Sequence, residues 1–97
     1  MPREKRDVER ALLKKGFFER PGDHMRLVYI RLSGATTELK TMTSRSPKVR
    51  TLDDGLLSLM ARQLTLSRSE LERFLDCSMS REEYEALMVS RGVLPPA

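Results

Sequence analysis

The amino-acid sequence predicts an α+β fold, an α-β-β-β-α core built on a three-stranded antiparallel sheet and followed by two short C-terminal helices. Three observations carry this prediction. A basic amphipathic stretch over 5–15 ends at Gly16, three strand-like runs follow it, and the last third repeats one helix-start device at Ser67 and Ser80. Strands flanked by helices in this order pack as a sheet with helices on one face.

Each element has its own warrant. Val8, Ala11 and Leu12 share one face of a helix over 5–15, joined by the stem of Lys15, while Arg6, Arg10 and Lys14 occupy another. Asp7 or a neighbour is placed to cap its start, and Gly16 supplies a left-handed stop. Phe17-Phe18-Glu19 reads as a short first strand and Pro21-Gly22-Asp23 as a turn. Met25 to Leu32 is apolar on both alternations, which predicts a central strand covered on both sides. Ser33-Gly34-Ala35-Thr36 turns the chain, and Thr37 to Ser44, rich in β-branched residues, forms the third strand. Arg45 to Arg50 is a basic loop. Leu56, Leu57, Met60 and Leu64 then form one helical stripe, with Asp53-Asp54 suited to the positive end of the helix dipole. Leu66-Ser67-x-x-Glu70-Leu71 and Met79-Ser80-x-x-Glu83-Tyr84 each combine a capping box with a hydrophobic staple. Pro95-Pro96-Ala97 is expected to fray. Residues 1–66 read as the core and 67–97 as a helical extension of the same domain.

Composition narrows the function classes. The chain has 97 residues, a third of them charged, which suits one globular domain with a modest core. The N-terminus has no apolar stretch of the signal-peptide kind, and the longest nearly apolar run, Leu56 to Ala61, is far too short to span a bilayer. A cytoplasmic protein without a membrane partner is expected. The single cysteine, Cys77, excludes an internal disulfide and cannot build a zinc site alone; no metal and no cofactor is called for. The net charge of +4 conceals an asymmetry: residues 1–50 carry 13 Lys/Arg against 6 Asp/Glu, whereas residues 51–97 carry 5 against 8. A basic half joined to an acidic half points to nucleic acid, although the same charges also serve simply to solvate exposed faces.

The residue best suited to proton transfer near neutral pH is the sole histidine, His24, at the end of Arg20-Pro21-Gly22-Asp23-His24 and directly before the second strand. Arg20, Arg26, Arg45 and Lys48 lie on the turn, strand and loop nearest to it and are the candidate phosphate contacts. Gly22 and Asp23 would support or orient the imidazole. Tyr29, Phe17 and Phe18 offer faces for base stacking, but the core has first claim on so few aromatics.

These residues carry a resemblance. The run Asp7-Val8-Glu9-Arg10-Ala11-Leu12-Leu13-Lys14-Lys15-Gly16-Phe17, followed by Gly22-Asp23-His24 and a hydrophobic strand, resembles the HicA-type toxins of toxin–antitoxin systems over roughly residues 5–64. Those are small mRNA interferases with a fold like that of double-stranded RNA-binding domains, in which the same element order occurs. Their first helix ends in Gly plus an aromatic, and Gly-Ser-His opens the next strand. The resemblance implies an RNA-binding endoribonuclease that needs no metal, with His24 catalytic, mRNA as substrate and an antitoxin as partner. Asp23 stands where the family has serine, and Arg45 stands where longer relatives carry a second histidine. A single histidine leaves the second proton-transfer role unfilled, so slow chemistry is expected.

Two other functions stay open on the residues. One is a non-catalytic nucleic-acid-binding module with the same fold. The other is an interaction protein that forms a homodimer through its C-terminal helices, for which Leu87 and Met88 beside Tyr84 offer an apolar surface.

Overall fold

A computed structural model describes residues 2–22, 24–43, 48–76 and 78–96. In chain order its elements are β1 (Arg3–Glu4), α1 (Lys5–Lys14), β2 (Phe17–Arg20), β3 (Met25–Ile30), β4 (Thr36–Thr43), β5 (Thr51–Leu52), α2 (Asp54–Gln63), α3 (Arg68–Leu75) and α4 (Arg81–Ser90). The fold is α+β. Strands β2, β3 and β4 form a three-stranded antiparallel sheet with β3 in the middle. A two-residue antiparallel ribbon, β1 with β5, ties the chain start to the segment before α2, a pairing the sequence did not announce.

Local chemistry explains most of the element ends. Gly16 stops α1 at φ +93°, a conformation that a side chain would disfavour. No side chain caps the start of α1: Glu4 occupies the N-cap position and Asp7 lies in the first turn, so the cap expected of Asp7 is not made. Asp53 caps α2 by accepting from the Leu56 amide at 2.8 Å. Ser67 and Ser80 cap α3 and α4, each accepting from the backbone of a glutamate that reaches back to the N-cap amide. Both staple pairs, Leu66 with Leu71 and Met79 with Tyr84, are buried.

One face of the sheet is covered and the other is open. Phe17, Leu27, Tyr29 and Leu39 point inward and meet Val8 and Leu12 of α1, Leu57 and Met60 of α2, Leu71 and Phe74 of α3, and Tyr84 and Met88 of α4. Phe17, Tyr29, Phe74 and Tyr84 form an aromatic cluster with centroid separations of 4.7–6.1 Å. The prediction that β3 is covered on both sides is corrected: Arg26 is exposed, and Val28 and Ile30 are only half-buried. Their apolar character fits a pleated strand without requiring a second layer.

The C-terminal helices are built into this core. Glu85 of α4 accepts from the Tyr29 hydroxyl (2.8 Å), the Leu32 amide (2.9 Å) and Arg31 Nε (3.3 Å). Arg31 Nη1 donates to the Pro95 carbonyl at 2.7 Å, and Leu94 is buried, so the tail is docked as far as Pro95 rather than frayed. Arg81 Nη2 donates to the Ile30 and Arg31 carbonyls. The buried Lys15 ammonium donates to the Met79 carbonyl and lies 5.1 Å from the Phe74 ring centroid. Two apolar surfaces expected from the sequence are also corrected. Tyr84 and Met88 are fully buried and Leu87 is half-buried against the core, so these three do not form the exposed apolar surface expected of them, and Leu56 points outward while Leu57, Met60 and Leu64 face the core. Among the described residues, no helix is long and apolar enough to cross a membrane.

Candidate nucleic-acid interface

The open sheet face is assembled from alternate residues of three strands. In one cross-strand row Arg20 faces Arg26, which faces Met42; in the next outward row Phe18 faces Val28, which faces Lys40. Successive residues of a strand point to opposite faces, so this register alone places the basic side chains together. Arg20 and Arg26 are exposed, and neither they nor Lys40 make a side-chain hydrogen bond or ion pair among the described residues. Side chains directly opposite in an antiparallel pair sit about 5 Å apart at Cβ, and like charges there repel. Among the described residues, three cations and one carboxylate, Glu38, line an open depression of about 790 Å³, together with Pro21, Val28, Thr41, Met42 and Gln63.

Much of the basic charge elsewhere is already engaged. Arg3 holds Glu72 at 2.5 Å and Asp76 at 2.9 Å, and these bonds outweigh partial burial to raise its pKa further. Arg31 is paired with Glu85, and Lys15 is buried against a carbonyl. The basic first half and the acidic second half therefore neutralise each other partly across the core, which accounts for a share of their asymmetry without any partner. Arg81 and Arg91 of the acidic half are bound as well, the latter to the Thr65 carbonyl and Glu70. What remains unpaired on the open face, among the described residues, is the cluster of Arg20, Arg26 and Lys40.

His24 ends the turn at the mouth of the β2–β3 hairpin. It is exposed and makes no hydrogen bond among the described residues. The Arg26 guanidinium folds back over this turn: a Cβ added to Gly22 would lie 3.7 Å from its Nε. Lys48 is exposed after β4 and holds a partner of its own, and it does not line the depression. Asp23 and Arg45 lie outside the described residues, as do Ser44, Ser46, Pro47, Cys77 and Ala97. The structure thus brings Arg20 and Arg26 together, keeps Gly22 and His24 beside them, and leaves Lys48 apart. It also adds Lys40 and Met42, which β4 alternation could have revealed once Leu39 was assigned to the core; of the three aromatics that offered stacking faces it buries Phe17 and Tyr29 and leaves Phe18 exposed on this side. Among the described residues, no group of three His, Cys, Asp or Glu side chains could hold a metal ion. Compared with known proteins, the chain matches no family model, no curated protein and no solved structure.

Proposed function

We propose that this chain is an RNA-binding protein of the HicA-like, mRNA-cleaving kind, with the open sheet face as its phosphate contact and His24 as its proton-transfer group. The observation that carries the reading is the Arg20–Arg26 cross-strand pair. Two like charges held opposite each other, with no carboxylate partner among the described residues, are relieved by an anion, and Lys40 one row away lengthens the strip for a repeating anion such as a phosphate backbone. The α-β-β-β-α order and the three-stranded sheet agree with the domain type that the resemblance over residues 5–64 implies, and an antitoxin would compete for the same face.

The chemistry needs no cofactor. His24 Nδ1 or Nε2 takes the ribose 2′-OH proton, the 2′-oxygen attacks the adjacent phosphorus, and the bond to the 5′-oxygen breaks. The departing oxygen takes a proton from water or from the imidazolium, leaving a 2′,3′-cyclic phosphate and a 5′-hydroxyl. Arg20 and Arg26 stabilise the extra negative charge on the phosphorane. One observation favours a second reading, a non-catalytic RNA-binding module: His24 has no orienting partner among the described residues, whereas efficient bases are held in place.

Binding and cleavage are separable by experiment. Affinity for RNA is expected to fall with salt at a log–log slope of about −2 for three phosphate contacts on a single strand. Reversing Arg20 or Arg26 to Glu should weaken binding, whereas reversing Arg73, which is exposed in the acidic half and whose side chain makes no hydrogen bond or ion pair among the described residues, should not. A flat salt titration refutes RNA binding. Cleavage that requires the 2′-OH and disappears in His24→Ala supports the catalytic reading, and binding without any cleavage leaves the module.

A further inference from the structure

The open face carries a second feature beside its cations. The chain has five aromatic residues, and four of them form the buried cluster. The fifth, Phe18, stands 56% exposed on the outer face, in the row with Val28 and Lys40, and Met42 in the Arg20–Arg26 row is 47% exposed. A lone exposed apolar residue needs no explanation. Here, however, Phe18 shares its face of β2 with Arg20 two residues on, and each of the two adjacent cross-strand rows holds both an apolar side chain and a cation.

This pairing matches one polymer better than others. A single-stranded nucleic acid presents flat base faces and phosphates side by side, so an aromatic platform and neighbouring cations are engaged together. A duplex hides its base faces in the stack and offers only phosphates and groove edges to such a surface. An acidic polypeptide would satisfy the cations, but its charged side chains bring no flat ring with them to cover Phe18, as each nucleotide does. We infer that Phe18 is a base-stacking platform, with Met42 on the opposite edge strand as a second apolar contact, and that the sheet face selects single-stranded over double-stranded RNA. The inference rests on the proposed RNA-binding function and names the form of RNA that the face takes. It departs from the duplex preference that the fold resemblance alone would suggest.

The test uses the full chain and three fluorescent probes: a single-stranded oligoribonucleotide, the same sequence as a blunt duplex, and the single strand with abasic sites. The single strand should bind more tightly than either other probe. Phe18→Ala should weaken single-strand binding roughly 5- to 150-fold, the loss that one stacked base represents, and should leave duplex and abasic binding unchanged. Phe18→Trp should retain the single-strand preference, and thermal melts should show both variants folded, since the ring is largely in solvent. Arg20→Gln should weaken all three probes alike. Equal binding of duplex and single strand, or equal losses on all probes in Phe18→Ala, would overturn the stacking inference while leaving RNA binding intact. Failure of every RNA to bind, with Phe18-dependent binding of poly-glutamate instead, would overturn both.

Discussion

Glu85→Ala should unfold this protein more readily than any surface substitution, because one carboxylate serves three donors from β3 and the turn after it. Its loss strands the Tyr29 hydroxyl, the Leu32 amide and the Arg31 guanidinium in a site where Glu85 is only 7% exposed. A buried donor left without an acceptor costs about 1–3 kcal/mol, and breaking a buried ion pair by removing one partner costs about 3–5 kcal/mol. These costs overlap, so we expect about 3–5 kcal/mol in total. That is a large part of the roughly 5–15 kcal/mol typical of a whole domain. At about 4–8 °C per kcal/mol for a chain of this size, the melting temperature should fall by at least ~12 °C. Glu85→Gln keeps the shape and an acceptor but loses the charge, and should cost about half as much. The pH dependence supplies a second readout. Burial alone would raise the Glu85 carboxyl, but the bonds from Leu32, Tyr29 and Arg31 outweigh it and hold the group below the usual carboxylate range. A lowered native pKa means that the stabilisation is complete above the unfolded-state pKa and is lost as pH falls through the lower native one. Wild-type melts should therefore lose stability on acidification, with part of that loss missing in Glu85→Gln. An alanine variant within 1 kcal/mol of wild type by urea titration followed by circular dichroism, at about the size of a single net hydrogen bond, would refute the reasoning.

Three further predictions concern the core and the helix ends. Both tyrosines are held protonated, Tyr29 up to about 12 by burial and by its bond to Glu85, and Tyr84 further up by burial; no phenolate absorbance should develop near pH 10 while the chain stays folded, and stability should decline above the ordinary tyrosine pKa. Gly16→Ala should destabilise by more than the usual 1 kcal/mol or so of a glycine substitution, since the new Cβ would lie 2.3 Å from Arg81 Nε and the backbone sits at φ +93°; a melt equal to wild type would show that Arg81 moves aside freely. Ser67→Ala and Ser80→Ala should each cost about 0.5–2 kcal/mol through the lost cap, and unchanged melting of either would remove that cap from the account.

The elements legible in the sequence are those whose cause lies within a few residues. Ser67 with Glu70, Ser80 with Glu83, Asp53 before α2 and Gly16 after α1 act through bonds or dihedral angles spanning three or four positions, so spacing alone reveals them. The sheet was legible because its strands and turns alternate in order, and antiparallel neighbours are made from consecutive segments. Residues whose surroundings come from far along the chain were misread. Tyr84 and Met88 resemble a surface stripe until α4 is laid on the sheet, and Pro95 looks like a loose end until Arg31, 64 positions earlier, donates to its carbonyl. The same holds for charge. A count of lysines and arginines cannot tell Arg3 and Arg31, which are spent on Glu72, Asp76 and Glu85, from Arg20, Arg26 and Lys40, which are left over. Sequence by itself determined the order of α1, the three sheet strands and the helices after them, the serine caps and the basic turn that ends in His24, because these follow from periodicity and local hydrogen bonding; the β1–β5 ribbon and the uncapped start of α1 were not legible. Only the tertiary structure decided which cations remain unpaired and that Phe18 joins them in the open, because pairing and exposure depend on strand register and on which face the helices cover.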